Sequence, residues 1–414
     1  VVSIDILIKG GTLPDGTRAD VAISGGSITA VEPDISAEAG EVVDATGKLV
    51  SPPFIDAHFH MDSTLSYGRP RVNGSGTLLE GIALWGELKQ IQTREDIVAR
   101  ALDYCRQAVA KGVLAIRSHV DVTDASFATV EALLEVRDIV RDVLDLQLVA
   151  FPQDGWYRTP GAEAQVIRAL DAGVDVVGGI PHFERTMADG AAAVRAACEL
   201  AAERGLRVDL HCDESDDPLS RHIETLAAET IRCGLQGRVA GSHLTSMHSM
   251  DNYYVAKLLP MIAEAEVAAI PNPLINITLQ GRMDTYPKRR GLTRVPELRA
   301  AGVTVAFGQD CVRDPWYPLG SGDMLDVAHM GLHVALMTDP DGMCAAFDMV
   351  TQTPAEIMGL DFGIAPGKRG SLVVLDASDR IEALRLRPAR LCVISDGRIV
   401  SRTQPAQSAL SLGF

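Results

Sequence analysis

Two histidines, His58 and His60, lie in the stretch F-I-D-A-H-F-H-M-D at 54–62, and their spacing is the first chemical signal in the chain. Residues 49–55 are mostly apolar and include Pro52-Pro53, which favour extended backbone, so the segment reads as a short buried strand ending at the histidines. Side chains two apart on a strand share a face. Two imidazoles so placed can approach one first-row divalent cation from the same side. In a chain with ten histidines an isolated H-x-H also arises from surface or core positions, so the pair gains weight only from partners elsewhere.

Those partners must be delivered by other elements. From residue 49 to 311 eight short apolar runs read as strands, at 49–58, 113–121, 146–153, 174–182, 206–211, 238–243, 267–271 and 303–310. Helical patterns at 94–111, 127–142, 162–172 and 190–204 separate several of them, and Ala-Gly or Lys-Gly pairs mark helix ends. Eight βα units predict a (β/α)8 barrel of the TIM type, whose C-terminal strand ends converge on one mouth. Strand one brings His58 and His60 there, strand three Gln153, strand five His211 and Glu214 in H-C-D-E. Strand six brings His243 in S-H-L-T-S, and strand eight Asp310 in F-G-Q-D-C. Singly, a core histidine, a helix N-cap or a solvated carboxylate accounts for each. Their joint placement at matching strand ends points to one site. His119 and His182 fall near the same mouth and read as hydrogen-bonding supports, not ligands. His222, His248, His329 and His333 are given no ligand role.

The chain ends behave differently. Residues 4–9, 19–23 and 27–31 at one end, and 371–376, 391–394 and 398–401 at the other, read as short strands between turn clusters. Neither end has the apolar surface to stand alone, so one small β-sandwich built from both is expected. The expected division is 1–50 and 361–414 for the sandwich and 51–360 for the barrel. Across 414 residues, 38 Lys and Arg stand against 55 Asp and Glu. The resulting charge of −17 repels phosphate backbones and argues against a nucleic-acid polymer as partner, while leaving small neutral substrates unaffected. The basic run Y-P-K-R-R at 286–290 reads as a salt-bridged rim loop. Seven scattered cysteines without C-x-x-C suit a reducing cytoplasm. With no run of about 18 uncharged apolar residues and a strand-like opening, neither a membrane span nor a secretory leader is expected.

Longer motifs carry a resemblance: P-P-F-I-D-A-H-F-H-M-D at 52–62, S-G-T-L-L-E-G-I at 75–82, F-P-Q-D-G at 151–155 and G-I-P-H-F-E at 179–184. With them stand H-C-D-E at 211–214, N-P-L-I-N-I-T-L-Q-G-R-M-D-T-Y-P-K-R-R-G at 272–291 and D-P-W-Y-P-L-G at 314–320. Over nearly its whole length the chain resembles the amidohydrolase superfamily, and within it the bacterial cytosine deaminases. The resemblance implies that His58, His60, His211 and Asp310 hold one divalent metal ion per chain, Zn2+ or Fe2+, which this donor set suits alike. It implies proton transfer by Glu214 and His243, and a pyrimidine ring held by Gln153. Two-metal members carry a bridging lysine at the end of strand four, where this chain has D-V-V-G-G-I-P. Trp316, in D-P-W-Y, either packs against the ring or belongs to the core. The absence of C-x-x-C separates this chain from the other deaminase family, which uses an H-x-E and P-C-x-x-C zinc site. A homo-oligomer is expected.

The expected reaction is hydrolytic deamination of a free cytosine-like base. A metal on three imidazoles and one carboxylate keeps a position for water and lowers its pKa towards neutrality. His243 and Asp310 would receive or orient the water proton, and Glu214 would protonate the ring nitrogen and pass a second proton to departing ammonia. Gln153 offers one donor and one acceptor to the O2 and N1–H edge. Related cytosine deaminases usually carry a second aspartate after the metal aspartate, where this chain has Cys311; Gln309 stands where a histidine is common. A small, weakly polar thiol removes a charge from the wall facing C5, so 5-methylcytosine, yielding thymine and ammonia, is the favoured substrate. The alternatives are deamination of isocytosine or creatinine, hydrolysis of aminotriazines or cyclic amides, and a barrel that only binds.

Overall fold

The computed structural model describes residues 4–124 and 126–412. Its strands in chain order are β1 (Ile4–Thr12), β2 (Arg18–Ser24), β3 (Ser27–Glu32), β4 (Ala39–Asp44) and β5 (Leu49–Ser51). Next come β6 (Phe54–Phe59), β7 (Val113–Asp121), β8 (Asp145–Phe151), β9 (Val176–Gly179), β10 (Arg207–Cys212), β11 (Val239–His243) and β12 (Ala268–Ile270). The last are β13 (Leu372–Leu375), β14 (Arg390–Ser395) and β15 (Arg398–Arg402).

Strands β6 to β12 pair in sequence order, each parallel to the next. Every residue of β6 and β7 is buried, which is why both read as unbroken runs without polar alternation. Helices lie between the strands at Arg94–Ala110, Ala128–Val140, Ala162–Asp171 and Met187–Arg204. The last begins three residues before the expected 190 because the Thr186 side chain caps it through the Asp189 N–H.

The eighth stave differs from the expected strand at 303–310. Among the described residues it forms no continuous ladder: isolated parallel bridges join Ala269 to Val305 and Phe59 to Asp310, and Gly308 N donates to Pro271 O at 3.2 Å. Two local features break the ladder. Gly308 passes so close to β6 that a Cβ there would lie 2.7 Å from His58 Cβ, and Asp310 adopts φ +67°. Asp310 N donates to His58 O at 2.8 Å and His60 N donates to Asp310 O at 2.9 Å, so the ring closes at the residues of interest.

The expected first strand at 49–58 is in fact two. Leu49–Ser51 pairs with β13 and β1, while Phe54–Phe59 enters the barrel. Pro52-Pro53 between them offers no N–H to either ladder, so the change of sheet occurs there. The remaining strands form one sheet from both chain ends, in the order β15-β14-β13-β5-β1-β2-β3 with β4 beside β1. It curls so that the β2–β3 hairpin meets the chain before β13, where Ile28 N donates to Lys368 O at 2.8 Å. Ile8, Val21, Ile28, Leu372, Val374 and Ile394 share the enclosed core. Burying such side chains contributes about 1.5–3 kcal/mol each.

Candidate active site

His58 is oriented from behind. Its Nδ1 lies 2.8 Å from Ser242 Oγ, and Ser242 Oγ donates to Asp209 Oδ1 at 2.8 Å. Asp209 Oδ2 accepts from Arg117 Nη1 at 2.8 Å. With the serine proton on Asp209, Ser242 accepts from His58 Nδ1–H and leaves Nε2 with a free lone pair. That nitrogen lies 3.3 Å from Asp310 Oδ1 and has no hydrogen-bond partner among the described residues. Asp56, fully buried two residues earlier on the strand, accepts from Gln309 N at 2.9 Å and ties β6 to the eighth stave.

The other donors arrive at the same point. His60 Nε2 is 2.8 Å from His211 Nε2 and 3.4 Å from Asp310 Oδ1. The donor atoms of His58, His211, His243 and Asp310 all lie within 4.8 Å of one another. Burial pushes His58 down to about 3 and His60 to about 4, and holds His211 and His243 well below the usual imidazole range. These rings are neutral at pH 7, with lone pairs available and a carboxylate beside them. A divalent cation fits this donor set.

His58, His119 and Asp209 also come within 4.8 Å of one another. They make a poorer set, because both Asp209 oxygens are engaged by Arg117 and Ser242, and His58 Nδ1 by Ser242. His119 lies under His58, ring centroids 4.2 Å apart. His182 Nδ1 is 3.1 Å from His211 O, and His222 Nδ1 is 2.8 Å from Asp213 Oδ1.

Glu214 follows a turn made by Asp213 at φ +54°, whose carboxylate accepts from Ser220 Oγ, His222 N and Ile223 N. Burial, reinforced by the charge of Asp310, pushes the Glu214 carboxyl well above the usual range. Its Oε1 is 3.4 Å from His243 Nδ1. Asn276 Nδ2 lies 2.9 Å from the same nitrogen and Asn272 Nδ2 3.3 Å from it. Ser242, Asp209, Arg117 and the two asparagines were not singled out from sequence. The signal for Ser242 was its place directly before His243; for the asparagines it was the N-P-L-I-N spacing, one helical turn apart.

A small cavity opens over these groups. Gln153, Glu214, Cys311, Trp316, His60, His211 and Asp310 line it, with Leu78, Ile180, Ile275 and Leu279 as apolar wall. His58 and His243 are not among the lining residues. Burial and the neighbouring Asp310 and Asp314 push the Cys311 thiol far up, so it stays protonated. Asp314 accepts the backbone N–H groups of Trp316 and Tyr317, each at 2.9 Å, and fixes the turn that presents the indole. No helix among the described residues is long and apolar enough to cross a membrane.

Comparison with known proteins bears on the fold and the family. The 5-methylcytosine deaminase of Klebsiella pneumoniae, solved with 5-fluorocytosine, superposes with a TM-score of 0.95 at 39% identity, covering 98% of this chain and 99% of that one. N-isopropylammelide isopropylaminohydrolase from Burkholderia multivorans superposes with a TM-score of 0.83 at 29% identity, covering 96% and 98%. Pterin deaminase from Rhizobium rhizogenes is 29% identical over 395 residues, 94% of this chain and 89% of its own length. Residues 41–401 match the amidohydrolase family. Because that match spans most of the chain and its barrel delivers neutral imidazoles and a carboxylate to one point, this protein belongs to the metal-dependent amidohydrolase family.

Proposed function

We propose that the protein is a hydrolytic deaminase of free cytosine-type bases, with 5-methylcytosine, converted to thymine and ammonia, as the favoured substrate. The observation that carries this reading is the cavity lining: an amide, a carboxyl held well above its usual range and an uncharged thiol face one small space beside the donor cluster. Gln153 donates to O2 of the ring and accepts from N1–H, which no charged side chain can do at once. This places C4 towards His60, His211 and Asp310. His58, His60, His211 and Asp310 would hold one divalent ion per chain, Zn2+ or Fe2+, which would supply Lewis acidity and lower the pKa of water towards neutrality.

Glu214, which keeps its proton to unusually high pH, delivers it to N3 as water adds at C4. His243 and Asp310 orient the water and take up its proton. Glu214, now the carboxylate, takes the remaining proton of the C4 hydroxyl and passes it to the exocyclic amine; the C4–N bond breaks as C4=O forms, ammonia leaves, and the proton held by His243 or Asp310 returns to Glu214. Cys311 faces C5, where a methyl group meets sulfur rather than a carboxylate. The likeness to a 5-methylcytosine deaminase at 39% identity supports the same assignment.

The likeness to N-isopropylammelide isopropylaminohydrolase favours a second reading, removal of an amine from an aminotriazine on the same donors. One panel separates the two: ammonia release from cytosine, 5-methylcytosine, 5-fluorocytosine, isocytosine and creatinine, and amine release from N-alkylated aminotriazines. The highest kcat/KM is expected for 5-methylcytosine. Turnover confined to the triazines would replace this reading with the second, and metal analysis finding two tightly bound ions would contradict the single site. Seven unpaired cysteines support a reducing cytoplasm. The large exposed side chains Tyr253, Met283 and Tyr286 support a homo-oligomer, whose interface would cover such residues.

A further inference from the structure

The loop after β8 carries Gln153 and is held on both sides by charged side chains that do not line the cavity. On one side, Glu184 follows the turn Pro181–Phe183 beyond β9 and is buried. Its Oε1 accepts the backbone N–H groups of Trp156 and, at 3.1 Å, Tyr157, and its Oε2 accepts that of Arg158 at 2.8 Å. On the other side, Lys89 ends the helix Leu78–Lys89 that follows β6. Its Nζ donates to Asp154 Oδ2 at 2.7 Å and to Asp121 Oδ2, at the end of β7, at 2.9 Å. Thr123 Oγ1 adds a second donor to Asp154 Oδ2 at 2.9 Å.

Between the two anchors Gly155 adopts φ +96°, and a Cβ there would lie 2.7 Å from Arg158 Cβ and 3.2 Å from both Glu184 oxygens. The chain is therefore drawn tightly over the glutamate. Three N–H groups converging on one carboxylate satisfy donors that a glutamine could serve only in part, since its amide has one acceptor oxygen and an N–H2 that opposes them. Asp154 adjoins Gln153, so the Cα of the substrate-facing residue is one peptide, about 3.8 Å, from an anchored one.

We propose that Glu184 and the Lys89–Asp154 pair are positioning residues that set Gln153 against the O2 and N1–H edge of the base. The motifs G-I-P-H-F-E and F-P-Q-D-G are thereby parts of one device, the first supplying the carboxylate and the second the loop it holds. This rests on the reading that Gln153 binds a cytosine-type base. Misplacing a binding group that acts equally on substrate and transition state raises KM and leaves kcat in place.

The test compares Glu184→Gln, Glu184→Asp and Asp154→Asn with the wild-type metal-loaded enzyme. Glu184→Gln is expected to raise KM for 5-methylcytosine by about 10- to 100-fold with kcat within about threefold. Amide hydrogen exchange at Trp156, Tyr157 and Arg158 should accelerate by at least about tenfold, with bound metal unchanged. Glu184→Asp keeps the charge but not the reach and should fall between. Asp154→Asn, at a half-exposed position, tests the other anchor should the glutamate variants fail to fold, and a several-fold rise in KM is expected. Unchanged exchange, or faster exchange with unchanged KM, overturns the proposal. If the wild type deaminates no cytosine-type base, the functional reading fails by itself, and the exchange measurement still decides whether Glu184 holds the loop.

Discussion

The indole of Trp316 occupies the space a side chain at position 81 would fill: a Cβ on Gly81 would lie 2.1 Å from Trp316 Cδ1 and 2.4 Å from Nε1. Gly81 stands in the first turn of the helix Leu78–Lys89, where glycine costs about 1 kcal/mol against alanine. Gly81→Ala is expected to drive the indole into the cavity. Stability should fall by about 1–3 kcal/mol by chemical denaturation, as for other overpacked sites. The kcat/KM for 5-methylcytosine should fall further than that for cytosine. An unchanged ratio of the two would mean that the ring escapes away from the substrate.

Glu214→Gln keeps the shape and removes the transferable proton. Bound metal should be unchanged while kcat falls by about 10²- to 10⁴-fold, the usual contribution of a positioned acid–base group. A near-normal kcat would reduce Glu214 to a buried carboxyl with no part in proton transfer.

Cys311→Asp puts a carboxyl into the wall proposed to face C5, among the acidic neighbours Asp310, Asp314 and Glu214. A methyl group gains about 0.8 kcal/mol against an apolar wall, whereas against a carboxylate it strips hydrogen bonds at a cost of about 1–3 kcal/mol. The preference for 5-methylcytosine over cytosine should therefore fall by roughly ten- to several hundred-fold. Paired kcat/KM values for both bases in wild type and variant decide it, and an aspartate enzyme that accepts the methyl group equally well refutes the assignment of this wall.

Ser242→Ala removes the acceptor that holds His58 Nδ1–H. Supports of this kind typically change metal affinity by about 10- to 100-fold, and a loss in that range is expected from competition with a chelator. Wild-type uptake of Zn2+ by metal-free protein should be level from pH 8 down to about 5. His58 and His60 are depressed to about 3 and about 4, so they are already deprotonated over that range. Uptake should weaken as the pH falls through those values. A steep loss near pH 6.5 would show that the rings titrate as ordinary histidines.

Much of the arrangement was legible because the barrel strands are largely buried and mostly apolar, and the polar residues at or just past their ends stand out against that background. His58, His60, His211, Glu214, His243 and Asp310 were visible in this way. Other features depend on contacts that no local pattern carries. Arg117 and Asp209 are far apart in sequence, and their pairing behind His58 follows only from the strand order. The eighth stave reads as a strand by composition, but the close approach of Gly308 to β6 and the turn at Asp310 break its ladder. Strand β4 went unseen because of its six residues only Val43 is fully buried, which leaves no alternation to detect. Gly81 gave no sign of its partner, since a glycine in a helix says nothing about which side chain needs the room.

Strands β5 and β13 pair antiparallel, Leu49 with Leu375 and Ser51 with Val373, although the whole barrel lies between them in the chain. In polymer terms the barrel is a loop tied off by that pairing. Closure entropy grows only logarithmically, each doubling of the loop costing about 0.6 kcal/mol, so a barrel-sized insertion is thermodynamically mild. Kinetically it matters more, because contacts of such long sequence separation are slow to find from an unfolded chain. The neighbouring strands β6, β7 and β8 can form first and bring the two ends within reach. The terminal sheet is then the last part to lock, and pulse-labelled amides of β13 and β14 should gain protection after those of β7 and β8.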